Sequence, residues 1–374
     1  MSTAYQFRLC GDGAWHLGVA VRRSFTWSKD GAISVSERQR APVDDEGTAF
    51  KPKTDVVVEG HVYAPTAGAR EVISQVEIEG LRRRIRACGK REVVSCNGGS
   101  SEWSRAEPFD RIQLARSNAY GGFDEVAFSR EGDDDADAAV RLGAELSIVS
   151  RFAYPRNAQG IGFYMVDNRE ANIGRPVPSL DDPDDPVLPE RLLRESTRDW
   201  IDAPVPAWWG WSEPDDFPRS HLLGFTADHL SPKRRVREME LGALEPPDLE
   251  RRSAPQGLEG LPYGLVDEPR AHLAAAPGMA TRRLVGGETI RLVNLEPNRP
   301  ERLLRVPRAS PALRVRPPGC NWLDLEPQID SLVIRPDDLE LALVFTAKLR
   351  VAGQYPDDEL QQVELAIDWP SGAG

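Results

Sequence analysis

Apolar side chains recur at every second position in several stretches of this chain, and that period belongs to strands rather than helices. Leu339, Leu341, Leu343, Phe345, Ala347 and Leu349 make the longest such run, with Glu340, Ala342, Val344, Thr346 and Lys348 as a mixed opposite face. Trp15, Leu17, Val19 and Val21 alternate with His16, Gly18, Ala20 and Arg22. Phe25 and Trp27 carry that pattern to Lys29-Asp30-Gly31, a hairpin turn signal ahead of Ile33 and Val35. Residues 56–63, 72–78 and 81–88 read as three more strands, the last with a strongly basic face. Ile290 and Leu292 begin another, and Val363, Leu365, Ile367 and Trp369 form a final one after the turn at Tyr355-Pro356-Asp357-Asp358. With 31 Pro and 31 Gly in 374 residues, long helices are disfavoured. The expected fold is mainly β: antiparallel, sandwich-like sheets with long irregular loops and little helix, its first strands ordered as an antiparallel meander.

Three regions follow from these patterns. Residues 1–130 are an N-terminal β region, 131–270 a loop-rich middle thick with Pro, Asp and Trp, and 271–374 a C-terminal β region. A chain of 374 residues exceeds what one core usually serves, so one large unit or two smaller ones both fit. In the middle, residues 138–150 read equally as short helix or strand, and 233–260 as a charged insertion or linker. Residues 175–216 read as ordered loop, because Pro is excluded from central ladder positions.

The search for chemistry returns little. A net charge of -12 and a pI near 5.1 argue against nucleic acid or an anionic membrane surface as partner. No apolar run is long enough to insert in a membrane, and the first residues lack a secretory signal pattern. Cys10, Cys88, Cys96 and Cys320 lack the spacing of a disulfide scaffold or zinc site, so reduced thiols in a cytoplasmic protein are expected. The scattered His16, His61, His221, His229 and His272 suggest no metal, and Asp133-Asp134-Asp135, Asp181-Asp182 and Asp184-Asp185 read as solvated acidic loops. No nucleophile elbow is present, and Gly98-Gly99, Gly121-Gly122 and Gly286-Gly287 lack the context of a phosphate cradle. No catalytic residue, metal or cofactor is therefore assigned. Trp208, Trp209 and Trp211, followed by Phe217, are the densest aromatic group; they read as a partner anchor or a sugar platform, with structural packing as the plain alternative.

One resemblance sharpens this picture. The stretch KPKTDVVVEGHVYAP at residues 51–65, with Lys51, Pro52, Thr54, Asp55 and Gly60, resembles the opening signature of a bacterial family of domains of unknown function, numbered 2169. Gly89 and Arg91, Pro108-Phe109, Gly121-Gly122, Asn157 with Gly160, the stretch PVPSLDDPDDPV and the strand containing Asp330 match further pieces of that family in order. The match runs from about Trp15 to Arg350, as one continuous domain. Ala158 stands where the family usually has Pro, and the tryptophan cluster is atypical. What the resemblance implies is a non-catalytic adaptor or chaperone of type VI secretion, whose partners are a secreted effector and the VgrG or PAAR spike proteins. A carbohydrate-binding or carbohydrate-active sandwich and a structural baseplate component are the competing expectations.

Overall fold

The computed structural model describes residues 2–8, 15–42, 51–97, 100–131, 152–154, 156–166, 169–194, 203–212, 240 and 273–370. Its larger sheet has seven strands. Across it run Ser2–Arg8, Trp15–Trp27, Glu340–Val351, Gln328–Arg335, Thr54–Val58 and Ala280–Thr281, with Ile33–Val35 paired to Trp15–Trp27 off this path. Trp15–Trp27 and Glu340–Val351 pair antiparallel along almost their whole length, joining opposite ends of the chain.

The alternating run near the C-terminus is the third strand of this sheet, and from Glu340 to Ala347 both of its faces are covered. Glu340 and Thr346, on the face that reads as mixed, are only 5% and 3% exposed. The expected meander is corrected here: Thr54–Val58 pairs in parallel with Gln328–Arg335 rather than antiparallel with its sequence neighbours. All five of its residues are buried, so it needs a position inside the sheet, and Gln328–Arg335 supplies one flank. The single strand expected over residues 56–63 is accordingly two. Past Glu59-Gly60 the chain turns away, and His61–Tyr63 pairs with Arg111–Gln113 instead.

A second, five-stranded sheet is antiparallel throughout: Leu180–Asp181, Leu81–Cys88, Glu71–Ile78, Thr289–Glu296 and Arg299–Arg305. Val76, Ile85, Ile290 and Leu292 from this sheet share one hydrophobic cluster with Leu17, Val19, Leu332 and Phe345 of the first. The fold is thus mainly β with antiparallel sheets predominating and little helix. A buried pair, Arg302 Nη2 to Glu296 Oε2 at 2.6 Å, stands where the sheets meet, and Trp27 Nε1 of the first sheet donates to Glu296 Oε1 at 3.2 Å.

The middle of the chain has its own packing. Val93, Tyr120, Tyr154, Phe163, Tyr164, Val177 and Leu192 form a second buried cluster beneath irregular backbone. Residues 132–150 and 213–239, which contain Asp133-Asp134-Asp135, Phe217, His221 and His229, lie outside the described residues, as do Cys10, His272 and Gly98-Gly99. Cys88, Cys96 and Cys320 are free thiols. Among the described residues, no helix is long and apolar enough to cross a membrane.

Candidate functional site

The signature at residues 51–65 folds into a clasp on the C-terminal part of the chain. Lys51 Nζ lies 2.9 Å from Asp55 Oδ2 and 3.0 Å from Asp330 Oδ2, and all three side chains are fully buried. It also donates to Ser331 Oγ at 3.0 Å, and the Trp211 ring lies 5.6 Å from it. Thr54 Oγ1 donates to the Ile329 carbonyl at 2.7 Å and accepts from the Leu284 amide at 3.1 Å. Asp55 Oδ2 accepts the Ala274 amide at 2.9 Å. The strand entry is thereby tied to three distant segments.

A β-bulge makes this convergence possible. In a regular strand Asp330 and Ser331 would point to opposite faces. The register between Gln328–Arg335 and Glu340–Val351 slips between Ile329 and Ser331, leaving Asp330 as the extra residue. Bulges re-aim side chains in this way, and here two consecutive residues both reach Lys51. Thr346 Oγ1 donates to Asp330 Oδ1 at 3.3 Å, and Arg283 Nη1 stands 3.7 Å from the same oxygen. Burial is the strongest influence on Asp330 and raises its pKa to about 6, against the pull of Lys51 and with a push from Asp55. Burial also works against the Lys51 ammonium, but the two carboxylates outweigh it and its pKa is raised. A polar cleft of about 480 Å³ opens at this point, lined by Lys51, Arg283, Asp324, Glu326, Thr346 and Lys348 among others.

The second half of the signature makes a parallel contact. His61 Nδ1 sits 2.6 Å from Asp337 Oδ2, and Tyr63 Oη donates to Asp337 Oδ1 at 3.0 Å. Both pieces of the signature therefore grip residues 330–337.

The acidic stretch LDDPDDP overturns its expected character. Asp181, Asp182 and Asp185 are 3%, 6% and 6% exposed, not a solvated loop. The reason is the basic face of Leu81–Cys88 beside it. Arg86 clamps Asp181 through two nitrogens, Arg83 Nη2 reaches Asp182 Oδ2 at 3.3 Å, and Arg191 Nη1 meets Asp185 Oδ1 at 2.8 Å. Arg–carboxylate forks of this kind are the strong members of their class. Asp184 alone among these aspartates keeps more than half its side chain in water, at 55%.

The remaining family-signature residues knit backbone together. A Cβ on Gly89 would sit 1.8 Å from the Glu107 carbonyl oxygen, and one on Gly121 2.1 Å from that of Asn157. No side chain fits in either place. Asn157 Nδ2 donates to the Arg116 and Tyr120 carbonyls at 2.9 and 3.1 Å, beside Gly122 and Gly160. Arg91 Nη2 donates to the Pro178 carbonyl at 2.8 Å. Phe109 packs against the main core, while Pro52 and Pro108 are exposed.

Two rings of the tryptophan group are closed to a partner. Trp208 and Trp209 are each 2% exposed and belong to the main core, and the Trp209 carbonyl accepts the Val58 amide at 2.7 Å. Their rings have no face to offer a partner; Trp211 is partly buried over Lys51. The more open ring is Trp322, 38% exposed, with the Arg314 and Arg316 guanidiniums 5.7 and 5.2 Å from it. Arg283, at the edge of the buried centre, belongs to none of the family-like motifs, and Asp330 enters them only as part of a strand. One signal for Asp330 is visible in the sequence: the lone carboxylate in the mostly apolar strand Ile329-Asp330-Ser331-Leu332-Val333-Ile334 needs a buried partner.

Fold and site together define a mainly β protein whose two ends are clasped by a buried lysine–dicarboxylate centre. The chain belongs to DUF2169, described as uncharacterized protein conserved in bacteria, whose family model matches residues 12–346. No curated protein and no solved structure matches it.

Proposed function

We propose that this chain is a non-catalytic, cytoplasmic adaptor of type VI secretion that binds an effector and helps to load it onto the VgrG or PAAR spike. Family membership supports the reading through the resemblance set out above, and one surface observation carries it. Among the described residues, strand Arg299–Arg305 forms an edge of the five-stranded sheet, paired with Thr289–Glu296. A groove of about 860 Å³ runs along it, lined by Ile33, Leu303, Leu304, Val306, Arg305 and Arg308 among others. Leu303 is 59% exposed there and nearby Val285 79%. The side chains this strand exposes are Arg299, Pro300, Glu301, Leu303 and Arg305. Leu303 between arginines suits an extended segment of an effector, with apolar and acidic side chains, that adds along the edge beyond Pro300 and Glu301.

The test is direct binding of the purified chain to purified effector and spike proteins encoded beside its gene. Leu303→Asp is expected to weaken effector binding about tenfold or more, because the loss of one central apolar anchor exceeds 1.4 kcal/mol. Its melting temperature should stay near wild type, as for most surface substitutions. No binding by the wild-type chain would remove the adaptor reading; equal binding by both proteins would remove this edge from it.

A further inference from the structure

We propose that Lys51 and Asp330 condense to an intramolecular amide bond, with Asp55 carrying the protons. The inference is independent of the adaptor reading and rests on the buried centre alone.

The reacting groups are already in place. Lys51 Nζ is 3.0 Å from Asp330 Oδ2, and both side chains are fully buried, so bulk water does not compete for either. Groups held at such distances react as though at very high concentration. The two oxygens of Asp330 have different neighbours. Oδ2 faces the amine, while Oδ1 accepts from Thr346 Oγ1 at 3.3 Å and stands 3.7 Å from Arg283 Nη1. Negative charge that develops on Oδ1 as nitrogen adds to Cγ is therefore met by a hydroxyl donor and a guanidinium, the arrangement that stabilises tetrahedral intermediates.

Asp55 supplies the remaining part. Its Oδ2 is 2.9 Å from the amine, and its Oδ1 accepts no hydrogen bond among the described residues although the side chain is fully buried. It takes one proton from the Lys51 ammonium to expose the lone pair and a second from the same nitrogen once the C–N bond has formed, and it passes both to Asp330 Oδ2, which departs as water. One C–N bond forms and one C–O bond breaks; the ammonium and carboxylate become an amide and one water. No oxidant, reductant or cofactor enters. The cleft lined by Lys51, Arg283 and Thr346 gives that water a way out. Burial raises the pKa of Asp330 and so eases its uptake of protons, whereas the two carboxylates raise that of Lys51, so the amine needs the base that Asp55 provides. The product would join residue 51 covalently to residue 330, fastening Thr54–Val58 to its parallel partner.

Mass spectrometry of the full-length chain under denaturing conditions decides the matter. The expected result is a deficit of one water and a branched proteolytic peptide joining the segments that carry Lys51 and Asp330. Lys51→Arg, which keeps the charge but cannot form this bond, should show no branched peptide. Asp55→Asn should be recovered largely unlinked, since loss of a general acid–base group slows such steps on the order of 100-fold. A wild-type chain without the branched peptide overturns the proposal, as does a water loss that maps to any other pair of residues. Complete linking in Asp55→Asn would overturn the role given to Asp55.

Discussion

Lys51→Met is expected to destabilise the protein by about 3–5 kcal/mol, the range seen when one partner of a buried charge pair is removed. Methionine fills nearly the same space, so the loss is electrostatic rather than a cavity. Without the ammonium, Asp55 and Asp330 are left as two buried carboxylates that shared a single site, each having lain within 3.0 Å of the missing nitrogen. At least one must then take up a proton, and stability should fall further as pH rises. The amide inferred above would widen the gap by raising the wild-type reference. Urea denaturation at neutral pH measures the difference. A change below about 1 kcal/mol, the range of exposed ion pairs, would show that Lys51 is not the centre of a buried network.

Asp181→Ala is expected to cost about 2–3 kcal/mol, and Asp184→Ala less than about 1 kcal/mol, although the two lie three residues apart in the same acidic stretch. Asp181 is 3% exposed, accepts two nitrogens of Arg86 and also receives the Val187 amide at 3.2 Å. Its removal strands Arg86 in a partly buried position and leaves that amide unpaired. Arg86 keeps 23% of its side chain in water, which sets the estimate below that for Lys51. Asp184 pairs with Arg84 where both side chains are well exposed, at 55% and 39%. Solvent there replaces whatever the pair contributes. Paired denaturation curves for the two variants read the contrast, and equal losses would mean that burial does not govern the worth of these aspartates.

The strands were legible because their signal is local. The alternation at Trp15, Leu17, Val19 and Val21 marks a strand, and Trp15–Trp27 is one, although its burial covers both faces from His16 to Arg22. Glu71–Ile78 and Leu81–Cys88 pair as the hairpin their adjacency suggests. The same local reading misjudged two clusters. Asp181, Asp182 and Asp185 carry the composition of a solvated loop, yet the arginines that meet the first two lie about a hundred residues earlier in the chain, and Arg191 meets Asp185 from six residues beyond it. Trp208 and Trp209 sit in a Pro-rich stretch that looks like surface, yet that stretch lies against Thr54–Val58 and turns both rings into the core.

The amino-acid order alone settled the mainly β class, the family and several of the strands, because strand period and turn chemistry depend on residues within a few positions of one another. Which charges are buried, which carboxylate Lys51 meets and which edge stays open were decided only by the folded molecule. A parallel pairing between residues 54–58 and 328–335 and a bulge at Asp330 bring those groups together. The energy of a charge depends on how much water it keeps, and that is a property of packing across the whole chain.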